Sequence, residues 1–409
     1  MAPESSKKSQ LLLKFLSFSL GPFGAAAVAF VATPIITWLV APDEFGKSAI
    51  FVVAFNLFLL TSILGIDHSF VRFFDGRRLP ESAALLKRSF CISLASCLVV
   101  SLSLAAFAPQ VSRLLFGETN PFHAYILALA ILCGLFDRYG MLVLRMQQRG
   151  LVFSSLMFLN TASNALFSVL FCLTLGRTFE SLILAHLLAF ALSGTVSVWI
   201  ERRFWFAVGG AEQPVTLREL LAYGLPIAPT AIAAWAFQSI DRFLLSDLAG
   251  YAALGVYTAA IKIVSVLLVF RTAFGMFWVP VSFEQFQNHP EDTAFFSRVF
   301  RLVSAFVFFL CMFVLLAKDL IVLILGEQYR AAAGVMPFLL FGPAMYILSE
   351  ITTVGIYFRK KTYWHLVIFF AAAAVNIACN YLLIPPLGAK GAAVASCVSY
   401  VIFFTSRTL

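Results

Sequence analysis

The sequence predicts an all-α polytopic membrane protein, with about twelve transmembrane helices in two six-helix bundles related by a pseudo-two-fold axis along the membrane normal. Three observations predict this. The 409 residues are 61% hydrophobic and only 12% charged, whereas soluble domains carry about 25% charge. Apolar runs long enough to cross a bilayer recur along the whole chain. The Lys and Arg residues between those runs fall on alternate loops, as a one-sided topology rule requires.

The first span is expected near Leu20–Val40. It follows a basic start (Lys7, Lys8, Lys14), and its apolar part is too long for a signal h-region, so it reads as a retained span. Ser48–Ile66, Ser89–Pro109, Phe122–Leu144, Leu151–Leu175 and Leu182–Ile200 complete the first half. After a polar break come Leu221–Ser246, Val256–Pro280, Val299–Ala317, Val335–Phe358, His365–Pro385 and Gly391–Thr405. With this arrangement about 20 basic residues lie on one side and about 7 on the other, which makes the first side cytoplasmic and puts both termini there. The longest breaks, DHSFVRFFDGRRLPESAALLKR and ERRFWFAVGGAEQPVTLRE, fall on the cytoplasmic side. The second has linker composition. It divides the chain into an N-lobe (1–206), a linker (207–218) and a C-lobe (219–409).

Internal repetition supports two lobes. Arg149, Asn164, Leu170, Leu175 and Gly176 recur in spacing as Lys361, Asn376, Leu382, Leu387 and Gly388. Gly21, Pro22, Gly24 and Pro34 in the first span match Gly224, Pro226 and Pro229 in the seventh, and each set precedes a turn ending in Gly46 or Gly255. Six spans per half make the repeats parallel, and interrupted spans in matching positions point to a midplane site. Gly21, Pro22, Gly224, Pro226 and Pro229 are therefore expected hinges.

The stretch Leu220–Pro280 is the expected centre of function, because its two apolar runs carry Asp241, Arg242, Lys262 and Arg271. A mid-bilayer charge costs roughly 3 kcal/mol on insertion scales, so such residues face protein or a wet cavity. Helical rise puts Asp241 and Lys262 each roughly 8 to 9 Å below one surface, able to meet across the hairpin. Thr230, Ala234, Gln238 and Asp241 share one face, and Thr258, Lys262 and Ser265 another. Arg271 falls out of phase with Lys262 and is ranked below it. Trp235 lies one turn from Gln238 on the expected cavity side. Glu350 and His186, within spans, are candidate ion-coupling groups. Asp67 and Arg72, closing the second span with His68, are candidate gate residues that would pair with the other lobe, and Asp137 and Arg138 read similarly.

Other chemistries are excluded. The seven Cys lie in apolar runs without metal-ligand spacing and read as core residues, with neither disulfide nor metal site expected. The net charge of +9 belongs to topology loops and implies no nucleic acid. There is no P-loop, HExxH, paired Cys or dinucleotide glycine pattern, so no cofactor, ATP hydrolysis or catalytic residue is expected.

On TPIITWLVAPDEFGKSAI, LGIDHSFVRFF, YGLPIAP, SIDRFLL and GVYTAAIKI, the chain resembles the polysaccharide transporter branch of the multidrug/oligosaccharidyl-lipid/polysaccharide exporter superfamily, the Wzx-type flippases. The resemblance covers nearly the whole length and implies a MATE-like fold with a central cavity opening alternately to each side. It implies a cargo of polyprenyl-pyrophosphate-linked oligosaccharide, such as an O-antigen precursor on undecaprenyl pyrophosphate, moved from the cytoplasmic to the periplasmic leaflet of the bacterial inner membrane. The basic cavity residues of such proteins would correspond to Lys262, with Arg242 and Arg271. Expected partners are this substrate, membrane lipids, and a polysaccharide polymerase with other assembly proteins; the chain is expected to act as a monomer. Two other functions compete. A drug or cation antiporter of the same fold would line its cavity with carboxylates. A membrane glycosyltransferase or polymerase would need a sizeable loop domain, and no loop here exceeds about 25 residues.

Overall fold

The computed structural model describes residues 4–75, 79–207, 215–289, 291–359 and 363–408. The described chain is helical throughout, as a bilayer demands, because a spanning helix satisfies its own backbone polar groups. Contacts divide it into two units, one of Met1–Ala29 with Ile50–Ile232, the other of Phe30–Ala49 with Ala233–Leu409. The helix that opens the chain thus serves both units, and the start of the C-terminal half packs within the first. Most of the expected linker, residues 208–214, lies outside the described residues, as do Lys360, Lys361, Arg77 and Arg78.

In chain order the helices are α1 (Glu4–Leu39), α2 (Pro42–Ile63), α3 (Ile66–Phe73), α4 (Leu79–Ala106), α5 (Ala108–Phe116) and α6 (Phe122–Met146). Next come α7 (Gly150–Thr174), α8 (Phe179–Ile200), α9 (Arg202–Trp205) and α10 (Leu217–Gly224). Then follow α11 (Ala228–Val264), α12 (Val266–Asn288), α13 (Thr293–Leu323), α14 (Ala332–Thr352), α15 (Val354–Phe358), α16 (Tyr363–Leu387) and α17 (Ala389–Thr408). Side-chain caps close the starts of α10 and α13. Thr216 and Glu219 form a reciprocal capping box on α10, and the Asp292 carboxylate accepts from the Phe295 N–H at the head of α13.

Among the described residues eleven stretches are long and apolar enough to span a membrane. One of them, Leu217–Val264, has 48 residues and holds a chain reversal at Gly250 (φ 83°, ψ 170°). The Tyr257 hydroxyl donates to the Asp241 carboxylate across that point. In an unbroken helix residues 16 apart would be about 24 Å distant, so α11 is a hairpin of two arms. Its second arm continues into α12, which gives the twelfth span.

Both units repeat one packing order. In the first, α4 packs on α6, α6 on α8 and α8 on α7; in the second, α13 packs on α14, α14 on α17 and α17 on α16. Gly176 after α7 and Gly388 after α16 both adopt positive φ (138° and 55°), the backbone turn that favours glycine at a helix end.

The expected hinges divide. The helix is broken at residues 225–227, between α10 and α11, where Pro226 removes a backbone donor. By contrast α1 runs unbroken through Gly21, Pro22 and Pro34, so the expected interruption of the first span is not present. Gly21 serves packing instead, since a Cβ there would lie 2.7 Å from the Ser154 Cα of α7. A further difference is α3, expected as loop. Leu64 and Gly65, both at positive φ, turn the chain, and the amphipathic IDHSFVRF then buries Ile66, Asp67, Ser69 and Phe70.

Candidate functional site

A cavity of about 220 Å³ opens inside the second unit, among α11, α12, α14 and α17. The first arm of α11 supplies Gln238, Asp241 and Arg242, the second arm Tyr257 and Ser265, α12 Arg271, α14 Tyr346, and α17 Ser396 and Tyr400. Asp241 is 6% exposed. Its Oδ2 accepts from the Tyr257 hydroxyl and from Ser396 Oγ at 3.2 Å, whereas Oδ1 meets no hydrogen-bond donor among the described residues. Two hydroxyls therefore hold the one wall carboxylate, and both guanidinium groups remain as the cationic content of the cavity. Arg271 stacks on Tyr346, its Cζ 3.4 Å from the ring centroid, which fixes the side chain while leaving its N–H edge able to bind an anion. Gln238 lines the same cavity with its amide turned back onto the Ala234 carbonyl, 3.0 Å away.

Lys262 is placed elsewhere. Its Nζ sits 4.8 Å from the Phe45 ring centroid, and no carboxylate pairs with it among the described residues, so the expected meeting with Asp241 does not occur. The turn is tighter than the sequence suggests. Because the arms reverse at Gly250, Asp241 comes level with Tyr257, and five residues at 100° each carry Lys262 about 140° round the helix from it. A new helix begins at Val266, so the phase from Lys262 to Arg271 is reset and Arg271 reaches the cavity. Trp235 also lies off the wall, 6.1 Å from the Phe243 ring.

Further along α14, Glu350 pairs with Arg407 at 3.5 Å. Arg407, expected in a cytoplasmic tail, is 6% exposed. It donates to Ser349 Oγ (2.9 Å) and Thr353 Oγ1 (3.1 Å) and lies over Phe403 and Tyr346. Glu350 is thus half of a buried clamp joining α17 to α14.

The first unit has its own cavity, about 350 Å³, among α2, α6, α7 and α8, with Asn56, Asp137, Arg138, Arg145, Asn160 and Thr161 as its polar wall. The expected fourth span, Phe122–Leu144, contains Arg138 and stops short of Arg145; α6 runs on to Met146 and carries both. Arg138 Nη2 donates to Asp67 Oδ2 at 2.7 Å. Asp67 therefore pairs inside its own unit, with Arg138. Arg72 is exposed and makes no ion pair among the described residues. His186 packs edge-on to Phe51 and Phe55, its ring 5.8 and 4.9 Å from theirs, and lines neither cavity.

Solved structures share this fold. Lipid II flippase MurJ in an inward closed conformation superposes with a TM-score of 0.74 at 12% identity, covering 95% of this chain and 86% of that one. An inward-facing multidrug resistance MATE family transporter of the MOP superfamily gives 0.71 at 13% identity, covering 97% and 96%. The Vibrio cholerae MATE transporter VcmN gives 0.66 at 13% identity, covering 98% and 95%. At these identities the likeness is one of fold. No curated protein matches the sequence. The profile described as polysaccharide biosynthesis protein matches residues 11–286. That is well over half of the chain, and this multi-pass membrane protein belongs to the polysaccharide biosynthesis protein family.

Proposed function

We propose that the protein is an alternating-access flippase that carries a polyprenyl-pyrophosphate-linked oligosaccharide across the membrane, from the cytoplasmic to the periplasmic leaflet. The observation that carries this reading is the charge of the second unit's cavity: Arg242 and Arg271 against Asp241, whose carboxylate is already engaged by Tyr257 and Ser396. A diphosphate needs cations in a medium of low dielectric, where charge-assisted hydrogen bonds are strongest. Membership of a polysaccharide biosynthesis family supports a sugar cargo, and the prenyl tail would stay in the bilayer while the headgroup crosses. On this reading the protein resides in a bacterial inner membrane with both termini cytoplasmic, performs no catalysis, and works beside a polymerase and other assembly proteins.

Gene deletion followed by leaflet-specific labelling of lipid-linked oligosaccharide tests it. The reading expects the lipid-linked sugar to accumulate on the cytoplasmic leaflet. An unchanged lipid pool together with altered drug sensitivity would instead support cation export, with Asp241 as the cargo's partner.

A further inference from the structure

The first unit's cavity has a second cation besides the one that is paired. Arg138 and Arg145 are seven residues apart on α6, about 20° apart in helical phase and about 10.5 Å apart along the axis. Arg145 lies in the last turn of α6 and lines the cavity, and its guanidinium makes no hydrogen bond or ion pair among the described residues. Arg138 lies a further two turns in and is held by Asp67 at 2.7 Å. A carboxylate and a phosphate offer a guanidinium the same two-oxygen edge, so Asp67 occupies a place a phosphate oxygen could take. Beside the polar Asn56, Asp137, Asn160 and Thr161, the lining includes Phe55, Leu59, Met141, Phe153 and Met157, an apolar surface that suits the first isoprene units of a prenyl chain.

Asp67 is linked through its own helix to the helix that ends at the break. It stands in α3, which crosses α10 at backbone contact: Ser69 Oγ donates to the Leu220 carbonyl at 2.7 Å, and a Cβ on Gly65 would fall 2.3 Å from the Gly224 carbonyl. Immediately beyond Gly224 the helix is broken at residues 225–227.

We propose that this cavity is an exchange site for a prenyl diphosphate, in which Asp67 holds Arg138 until the diphosphate displaces it, Arg145 supplying the second cation. Displacement frees α3, and with α3 the α10 helix that abuts the break. Loading in the first unit is in this way passed to the hinge. The ligand's identity rests on the flippase reading above; the competition between Asp67 and an anion rests on the geometry alone.

The test is calorimetric titration of the full-length protein in nanodiscs with farnesyl diphosphate, inorganic pyrophosphate and farnesol. Asp67→Asn is expected to tighten farnesyl diphosphate about tenfold, equivalent to about 1.4 kcal/mol. Arg145→Gln is expected to weaken it about tenfold, Arg138→Gln to abolish the gain from Asp67→Asn, and farnesol binding to stay unchanged. Pyrophosphate responding in the same way supports the exchange and shows that the headgroup suffices. Wild-type binding that none of these changes alters overturns the exchange and leaves the flippase reading standing. Absence of any diphosphate binding by the wild type overturns both. Should Asp67→Asn melt early, Arg145→Gln, which removes no hydrogen bond or ion pair among the described residues, decides: unchanged affinity sinks the proposal.

Discussion

Replacing Tyr257 by Phe isolates the interaction that organises the second unit's cavity. The phenol is 1% exposed and donates to an Asp241 carboxylate whose one other donor among the described residues is Ser396. Phe fills the same volume, so no cavity penalty enters and the loss is the hydrogen bond itself. A bond to a charged acceptor contributes about 1.5 to 3 kcal/mol. Tyr257→Phe should therefore lower unfolding free energy by about that amount, read by denaturant titration in detergent. Ser396→Ala removes the longer bond and should cost about 1 kcal/mol. The double variant should cost more than the sum, because Asp241 then faces the cavity with no donor, and such sharing gives coupling of about 0.5 to 3 kcal/mol. Asp241→Asn in the Tyr257→Phe background should recover part of the loss by removing the unsatisfied charge. A Tyr257→Phe effect within about 0.5 kcal/mol, the range of a neutral surface change, without rescue by Asn, would refute this account of the cavity.

Other positions give further tests. Arg271→Gln should weaken diphosphate binding by about tenfold or more, from a lost charge-assisted contact, while Lys262→Met should leave it within about twofold on the same scale; equal losses in titration would contradict the placement of Lys262. Arg407→Met breaks a buried clamp and leaves Glu350 uncompensated, so thermal melts should show a loss near about 3 kcal/mol, with Glu350→Gln milder. Gly46→Ala should abolish folded yield by size-exclusion chromatography, because a Cβ there would lie 1.9 Å from the Tyr251 carbonyl oxygen. Retention of a monodisperse peak would show that α2 and the second arm of α11 can separate.

Long apolar runs declare themselves, so the spans, the hairpin after Leu220 and the break at Pro226 were legible in the sequence. Facing relations were not. Depth estimated from helical rise requires knowing where a hairpin turns, and the few residues between Ser246 and Gly250 exchanged Lys262 for Tyr257 as the partner of Asp241. Helix phase cannot be counted through a restart such as Val266, so counting on from Lys262 misses that Arg271 lines the cavity. A charge-based topology rule also assigns cations to loops by default. Arg145 and Arg407 fall beyond the expected spans and so count as loop residues, whereas the structure places Arg145 on α6 beside the first unit's cavity and buries Arg407 on α17. The proline and glycine pattern found a true break in α10 and α11 but a false one in α1, because Gly21 meets Ser154 of α7 by close packing without bending its helix.

The central claim is that cationic cavities carry a lipid diphosphate across the bilayer. Proteoliposomes loaded with a fluorescent polyprenyl-diphosphate oligosaccharide, quenched from one side, measure this directly. Wild-type protein should equilibrate the probe between leaflets, Arg271→Gln should slow it at least tenfold, and the dephosphorylated polyprenyl glycoside should not cross. Equal transfer of the diphosphate and the uncharged lipid, or a rate indifferent to Arg271, would contradict it.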